Sequence, residues 1–278
     1  MIMKTILITG ATDGIGLATA KELARQGHEL VLHGRNEEKV MRACHAIRTA
    51  VPHASLLHMA YADLGDLADV ARMAHELTVR LPRLDVLINN AGVYMTERKT
   101  TRDGFEMTLA VNHLAHFLLT SLLLPLLKES AAPRVVTVSS MVHTSGRIVF
   151  DDMNGEQRFD GYHAYANSKL ANVLFANELA RREPWLASNS LHPGVIGTKL
   201  LRAGFDMQGD PVEIGARTSV YLATAPEVAI ATGRYFVERS ETEPGAQALD
   251  RQLAQRLWAW SENAVSGVMQ ASVKDGSQ

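Results

Sequence analysis

The sequence predicts one α/β domain, a doubly wound parallel β-sheet with helices on both faces. Short apolar runs alternate with amphipathic windows along most of the 278 residues, as expected of right-handed β-α-β units. The runs are apolar without interruption, which is typical of strands that helices cover on both faces. No internal repeat, low-complexity tract or Pro/Gly/Ser-rich linker divides the chain, so we treat residues 1–278 as a single domain.

Seven runs are predicted to be strands, in the order Thr5–Thr9, Glu29–Leu32, Ser55–Met59, Leu84–Ile88, Arg134–Ser139, Ser188–Leu191 and Arg234–Val237. Helical windows lie between and after them, near residues 15–26, 37–50, 66–80, 103–129, 161–183, 212–224 and 246–264. Three stretches are less regular: an insertion at about 141–160, a loop at about 194–211 that we expect to cover the substrate, and the tail after about 264.

Composition narrows the class of protein. Lys plus Arg total 28 and Asp plus Glu total 30, so the net charge of −2 leaves no basic excess, and we expect no nucleic-acid partner. The one cysteine, Cys44, permits neither an intrachain disulfide nor a cysteine metal cluster, which suits a reducing cytoplasm. The eleven histidines show no clustered ligand spacing, so no metal site is predicted.

No targeting or membrane segment is predicted. The apolar stretch before Gly10 is too short for the core of a signal peptide. The most apolar segment, residues 117–127, is interrupted by Thr120, Ser121 and Pro125 and is shorter than a membrane span. We therefore expect a cytoplasmic protein that acts without a membrane.

The first predicted strand leads into a glycine-rich turn, Thr9-Gly10-Ala11-Thr12-Asp13-Gly14-Ile15-Gly16, which opens the first predicted helix. Glycines there allow positive φ angles and a close approach to a pyrophosphate, and the N-terminus of the helix attracts the anion. The spacing is G-x-x-x-G-x-G and differs from the commonest dinucleotide fingerprint, G-x-G-x-x-G. A tight turn without a ligand is the alternative, but the strand before it and the helix after it favour a Rossmann-type dinucleotide site.

The end of the second strand bears on the choice of dinucleotide, because an acidic residue there usually holds the ribose 2′-hydroxyl of NAD. The region reads Leu32-His33-Gly34-Arg35-Asn36, with no acid and with an arginine suited to a 2′-phosphate. We therefore predict NADP(H) in preference to NAD(H). The alternative for Arg35 is a solvated side chain beside Asn36, a candidate N-cap of the second helix. Asp13 in the glycine turn could weaken the preference for NADP.

A further motif, Tyr165-Ala-Asn-Ser-Lys169, places Tyr165 and Lys169 on one face of a predicted helix. A free phenol has a pKa of about 10, too high for proton exchange near neutrality. A nearby ammonium stabilises the phenolate, so we expect Lys169 to lower the pKa of Tyr165 and allow general acid–base catalysis. The alternative is an ordinary pair of helix residues.

With these motifs, the sequence resembles the short-chain dehydrogenase/reductase superfamily over nearly its whole length. The matches follow one another along the chain: the glycine turn, Asp63-Leu64, Asn89-Asn90-Ala91-Gly92, Asn112, Ser140, Tyr165 with Lys169, and Pro193-Gly194 with Thr198. The resemblance implies a set of cofactor-binding residues, namely Gly10, Thr12, Asp13, Gly14, Ile15, Gly16, Arg35, Asp63, Leu64, Asn90, Ala91, Gly92, Tyr165, Lys169, Pro193, Gly194, Val195 and Thr198.

The resemblance also implies a role for each of four catalytic residues. Tyr165 would protonate the carbonyl oxygen and Ser140 would polarise it. Lys169 would lower the pKa of Tyr165 and hold the nicotinamide ribose, and Asn112 would anchor a proton-relay water; Thr198 would hold the carboxamide of the cofactor. Two alternatives stay open, because Ser139 could be the working hydroxyl and Asn112 could merely satisfy buried backbone groups.

Within the superfamily, the run Asn167-Ser-Lys-Leu-Ala-Asn-Val-Leu-Phe175 resembles the retinol-dehydrogenase-like and WW-domain-oxidoreductase-like branch. The long spacing from Ser140 to Tyr165 and the late run Arg256-Leu-Trp258…Ser261-Glu262 agree with that branch.

We therefore predict an NADP-dependent oxidoreductase that interconverts an alcohol and an aldehyde or ketone. An apolar, hydrophobic substrate is expected because the residues predicted to lie near the nicotinamide are mostly apolar: Val93, Tyr94, Met95, Val142, Val195, Ile196, Leu200, Leu201 and Phe205. The alternative is a regulatory or interaction protein that binds NADP without catalysis. The chain is expected to be a monomer or a homodimer, since the apolar faces at 113–127 and 168–179 could pair between copies or lie beneath the 141–160 insertion.

Overall fold

The computed structural model describes residues 2–205 and 207–275. One sheet crosses this part of the chain in the strand order β3-β2-β1-β4-β5-β6-β7-β8. Its strands are β1 (Thr5–Ile8), β2 (Glu29–Gly34), β3 (Leu57–Tyr61), β4 (Val86–Asn89), β5 (Arg134–Val138), β6 (Ala187–His192), β7 (Tyr235–Val237) and β8 (Ser240–Glu241). Strands β1 to β7 are parallel and only β8 pairs antiparallel, so the predicted doubly wound sheet is confirmed.

Helices cover both faces of this sheet. They are α1 (Gly14–Arg25), α2 (Glu37–Ala50), α3 (Leu67–Arg80), α4 (Met107–Leu109), α5 (Ala115–Lys128), α6 (Gly161–Arg182), α7 (Lys199–Phe205), α8 (Val212–Thr224) and α9 (Arg251–Asp275). A π-helical turn at Ala110–Leu114 joins α4 to α5, so that the three form one continuous helix. Short polar side chains start several of these helices; Asn36 Oδ1 accepts from Lys39 N at 3.1 Å, which confirms the predicted N-cap of α2.

The core lies on both sides of the sheet because side chains of each strand alternate in direction. On one side, Leu7 of β1 packs with residues of α3 and α5. On the other side, Ile6 and Ile8 pack with residues of α1, α2 and α8. The carboxyl ends of the buried strands are therefore held at one edge of the sheet, where the predicted site residues follow β1, β4, β5 and β6.

The structure corrects several predicted boundaries. The helix expected from residue 103 begins at Met107, because the carboxylate of Glu106 accepts from Thr108 N and Leu109 N at 2.8 Å each and caps it. The window at 246–264 divides into a 3-10 turn at Ala246–Leu249 and helix α9. The tail after 264 is helical to residue 275, and Val265 is fully buried against the core.

The stretches described as less regular also contain short helices. The loop at 194–211 carries α7, and the insertion at 141–160 carries 3-10 turns at Met141–Ser145 and Phe150–Asp152. Strand β8 is absent from the prediction because two residues are too few to show a period of alternation.

Helix α9 covers the apolar faces of α5 and α6. The ring of Trp258 lies 4.9 Å from Phe117 of α5 and 5.8 Å from Phe175 of α6, and His113 Nε2 lies 2.8 Å from Ser261 Oγ. The 141–160 segment packs against another part of α6. Both faces that could have formed a dimer are thus covered within one chain.

One helix among the described residues, Met107–Lys128, is long and apolar enough to cross a membrane by length and composition. This corrects the expectation that no segment reaches that length. Since 78% of its apolar window is buried inside the protein, the helix has the surroundings of a core helix.

Candidate active site

The predicted cofactor residues meet in one cleft at the carboxyl edge of the sheet. It lies where β1 and β4 are neighbours and the strand order reverses, the position at which doubly wound sheets bind ligands. The cleft has a volume of about 840 Å³, and all eighteen predicted cofactor residues and Ser140 line it. Asn112 does not line the cleft, because its side chain is fully buried behind it.

The glycine turn has the backbone shape that a pyrophosphate requires. Gly10 and Gly14 have φ angles of +65° and +53°, which non-glycine residues rarely adopt. A Cβ atom at Gly16 would lie 2.2 Å from the carbonyl oxygen of Gly10, so only glycine allows α1 to start this close to the turn. The turn, the N-terminus of α1 and the long cleft together fit a dinucleotide.

Arg35 stands at the end of this cleft beside the C-terminus of β2. Its side chain is exposed, and it takes part in none of the ion pairs found among the described residues. A guanidinium in that position is free to receive an anion.

Asp13 is paired across the mouth of the cleft. Its Oδ1 accepts from Gly14 N at 2.8 Å, and its Oδ2 lies 2.5 Å from Nζ of Lys199 at the start of α7. The hydrogen bond from Lys199 lowers the pKa of Asp13. Lys199 therefore offsets the negative charge that sequence reasoning expected to repel a 2′-phosphate, and the pair joins the glycine turn to the loop above it.

Tyr165 and Ser140 form the polar centre of the site. The Tyr165 ring is 7% exposed, and the Ser140 side chain lies beside it. Burial raises the pKa of Tyr165, although Ser140 lowers it in part. The neighbouring Ser139 is turned away, since its Oγ donates to the carbonyl of Lys169 at 2.7 Å. Of the two serines, only Ser140 contacts the tyrosine side chain.

Lys169 lies beneath Tyr165, with Nζ 5.4 Å from the centre of its ring. Nζ donates to the Val138 carbonyl at 3.1 Å, and burial lowers the pKa of Lys169 to about 8. The expectation that Lys169 lowers the pKa of Tyr165 is not met in the protein alone, because desolvation of the phenol outweighs other effects.

Asn112 acts on the backbone behind the site. Its Oδ1 accepts from Val93 N at 2.8 Å, and its Nδ2 donates to the Val93 carbonyl and to Ser168 Oγ. A Cβ atom at Gly92 would lie 3.4 Å from Asn112 Oδ1 and 3.5 Å from Lys169 Nζ. The backbone of Gly92 is therefore close to both side chains. These contacts agree with the alternative that the side chain of Asn112 satisfies buried backbone.

The loop after β6 closes the cleft on its substrate side. Gly194 turns the chain with a φ of +101°, and the loop continues through Thr198 into α7. Seven of the nine residues expected to form apolar walls line the cleft; Tyr94 and Met95 do not. Tyr94 instead packs its ring 5.6 Å from Tyr165 and 5.4 Å from Phe205, and so forms the outer layer of an aromatic cluster.

Three buried histidines lie next to the site, and sequence reasoning missed two of them, His33 and His116. His143 Nδ1 lies 2.7 Å from the Ser140 carbonyl, and its Nε2 accepts from Gly245 N at 2.9 Å. His33 and His116 make similar contacts with the glycine turn. In the sequence, only His143 and His163 stand out beside the catalytic segment, as candidates for substrate contact or, in preference, for a surface or packing role. One available signal for His33 was that it directly precedes Gly34 and Arg35 at the end of β2.

These features define a dinucleotide-dependent oxidoreductase with a Rossmann-type fold. The chain belongs to the short-chain dehydrogenase family, whose model, described as short chain dehydrogenase, matches residues 4–209. Human retinol dehydrogenase 14 is 42% identical over 287 residues, which cover 93% of this chain and 85% of that protein. The predicted retinol-dehydrogenase-like branch is thereby confirmed.

Two further relatives also have the names of oxidoreductases. A protein of Streptomyces sp. (strain C5), named as a daunorubicin C-13 ketoreductase, is 41% identical over 94% of this chain and 92% of its own length. A short chain dehydrogenase of Shigella flexneri 2a str. 301, solved in complex with NADP, is 28% identical, with a TM-score of 0.68 over 85% of this chain and 97% of that one. The protein is accordingly an NAD(P)-dependent oxidoreductase that acts on CH–OH groups.

Proposed function

We propose that the protein is an NADP-dependent carbonyl reductase that interconverts an apolar alcohol and its aldehyde or ketone. The observation that carries the proposal is the buried Tyr165 side chain, which lines the same cleft as Ser140, Lys169 and the glycine turn. The names of the two curated relatives, a retinol dehydrogenase and a ketoreductase, support an exchange between alcohol and carbonyl.

Three residues of this chain take part in the proton chemistry of the proposal, and a fourth, Asn112, supports the backbone beside them. Tyr165 donates its proton to the carbonyl oxygen, and its raised pKa keeps that proton on the phenol at neutral pH. Ser140 hydrogen-bonds the same oxygen and polarises it. Lys169 holds the ribose hydroxyls and stabilises the phenolate as it forms; Asn112 fixes the Val93 backbone that borders the site. The bound nicotinamide coenzyme supplies or accepts the hydride.

Arg35 is proposed to select NADP over NAD. Within the part of the chain that the structure describes, its guanidinium has no carboxylate partner, and it borders the end of the cleft beside β2. Charge-assisted hydrogen bonds to a phosphate are worth about 1.5–3 kcal/mol, a preference of roughly 10- to 150-fold. The NADP complex of the Shigella relative supports the same coenzyme here.

The substrate is proposed to be a hydrophobic carbonyl compound. Val142, Leu200, Leu201 and Phe205 line the substrate side of the cleft and offer no charge to a sugar or an acid. The Phe205 ring lies 6.1 Å from that of Tyr165, so an apolar ring stands beside the proposed proton donor.

We further propose that the chain acts as a monomer in the cytoplasm. Helix α9 already covers the α5 and α6 faces through Trp258, and the one cysteine, Cys44, is a buried free thiol. Neither nucleic acid nor a membrane takes part in the proposed activity.

Consumption of NADPH with a panel of apolar aldehydes and ketones tests the proposal. We expect turnover with several of them and weaker activity with NADH. Binding of NADPH without consumption in the presence of any carbonyl or alcohol would instead support the regulatory alternative. A preference for phosphorylated or multiply charged substrates would overturn the assignment of the apolar walls.

A further inference from the structure

Two buried histidines contact consecutive residues at the start of the glycine turn. Gly10 N donates to His33 Nδ1 at 3.2 Å, and Thr9 Oγ1 lies 2.9 Å from His116 Nε2. The two side chains come from β2 and α5, and both rings are almost completely buried. The start of the turn thus makes hydrogen bonds with two imidazole rings.

The hydrogen bonds of His33 determine its tautomer. Because the Gly10 N–H group can only donate, His33 Nδ1 carries no proton and accepts. His33 Nε2 then carries the proton and donates to the Ala62 carbonyl at 3.1 Å. Burial lowers the pKa of His33 to about 4, which agrees with a neutral ring.

His116 takes the opposite tautomer. The Asn112 carbonyl lies 3.1 Å from His116 Nδ1 and can only accept, so Nδ1 carries the proton. His116 Nε2 is left to accept the hydroxyl proton of Thr9. That hydroxyl lies 3.3 Å from the Ile88 carbonyl, a longer contact, and its oxygen accepts from Asn90 N at 2.9 Å and Ala91 N at 3.0 Å.

Each histidine therefore accepts a hydrogen bond from the turn and donates one to a carbonyl on a different side of the cleft. His33 connects Gly10 to Ala62, next to Asp63 and Leu64, which the resemblance to the family places against the adenine of the cofactor. His116 connects Thr9 to Asn112 in the π turn behind the catalytic residues. The two rings fix the turn relative to Ala62, which lines the cleft, and to Asn112, which lies behind it.

We propose that His33 and His116 are positioning residues that hold the Thr9-Gly10 turn in register with the adenine side and with Asn112. His33 and the Thr9 contact of His116 set the affinity for NADPH. The Asn112 contact of His116 sets the turnover rate. The inference rests on the proposed function, because it takes the turn as the NADPH site and Asn112 as part of the catalytic machinery.

Amide substitutions separate the two contacts of each ring. Asn places its polar atoms near the position of Nδ1, and Gln places them near Nε2. H33N keeps an acceptor for Gly10 N, whereas H33Q keeps only a donor for the Ala62 carbonyl. H116Q keeps an acceptor for Thr9, whereas H116N keeps only a donor for the Asn112 carbonyl. Two variants thus retain the contact with the turn and two lose it.

The first measurement is the Kd of NADPH, by fluorescence titration, for the wild-type protein and all four variants. We expect H33Q and H116N to raise it about three- to tenfold, the effect of one neutral hydrogen bond, and H33N and H116Q to stay within about twofold. The second measurement is kcat with an accepted carbonyl. H116Q should lower kcat about three- to tenfold with little change in the KM for NADPH, because it loses only Asn112.

If the histidines only stabilise the fold, a different pattern is expected. Within the H33N/H33Q pair and within the H116N/H116Q pair, the variant with the lower Tm would then have the higher Kd for NADPH, whichever contact it retains. Equal Kd values within both pairs would overturn the proposal. If a histidine variant does not fold, Thr9→Ser and Thr9→Val test the same side of the turn, and Ser should retain the affinity that Val loses. If the wild-type protein binds NADPH but reduces no carbonyl, the proposed function fails, while the Kd comparison still decides the positioning roles.

Discussion

Replacing Gly16 by alanine tests whether the glycine turn is shaped for a phosphate. The added Cβ would lie 2.2 Å from the Gly10 carbonyl oxygen and 2.6 Å from Asn90 Nδ2. Since non-bonded carbon contacts are about 3.5 Å, the turn has to move by about 1 Å. Crowding of this kind costs about 1–3 kcal/mol, which lowers the Tm of a domain of this size by about 2–10 °C.

The same movement displaces the N–H groups that face the phosphate. Losing charge-assisted hydrogen bonds worth about 3 kcal/mol raises the Kd of NADPH roughly 100-fold. Fluorescence titration with NADPH and thermal unfolding measure both effects. Gly267→Ala is the matched control, because no atom lies within 4 Å of its added Cβ and alanine favours the interior of α9 by up to about 1 kcal/mol. A Gly16→Ala protein with wild-type affinity would refute the reasoning.

Three further predictions follow from the site. Arg35→Ala should raise the KM for NADPH about 10- to 150-fold and leave that for NADH nearly unchanged, and equal losses would make Arg35 structural. Ser140→Ala should lower kcat at least about tenfold. Ser139→Ala loses a buried hydrogen bond and should chiefly lower the free energy of unfolding, by about 1 kcal/mol. Similar kcat values for the two variants would contradict the assignment of Ser140 as the catalytic serine. Burial lowers the pKa of His33 to about 4 and of His116 to about 3, so below pH 6.5 the unfolded chain binds protons that the folded chain does not. The free energy of unfolding should therefore fall by at least about 2 kcal/mol between pH 7.5 and pH 5, and urea unfolding with no change in that range would contradict the burial of neutral rings.

Much of the cleft could be predicted because its residues follow strand ends, which hydrophobic patterns locate. Gly10 follows β1 and Asn90 follows β4, and parallel strands bring their carboxyl ends to one edge. The i, i+4 spacing of Tyr165 and Lys169 likewise placed both side chains in the site. These relations are local in the sequence.

The features of the site and fold that could not be predicted depend on contacts between segments that are distant in the sequence. The raised pKa of Tyr165 follows from burial, and Tyr94 and Phe205, from two other segments, pack against its ring. The cover over α5 comes from Trp258 of α9, in a region whose end was expected to be irregular. The contact of His116 could not be predicted for the same reason. Its partner Thr9 is 107 residues away, and no periodicity in the sequence reveals such a pair.

Tyr165 is the proposed proton donor in NADPH-dependent carbonyl reduction. The most direct test compares NADPH oxidation by the wild-type and Tyr165→Phe proteins with the same apolar carbonyl, and measures the Kd of NADPH for both. Removing only the hydroxyl should leave that Kd within about twofold and lower kcat by about 10²–10⁴-fold, the usual contribution of general acid catalysis. A Phe variant that keeps more than about a tenth of the wild-type activity would contradict the account.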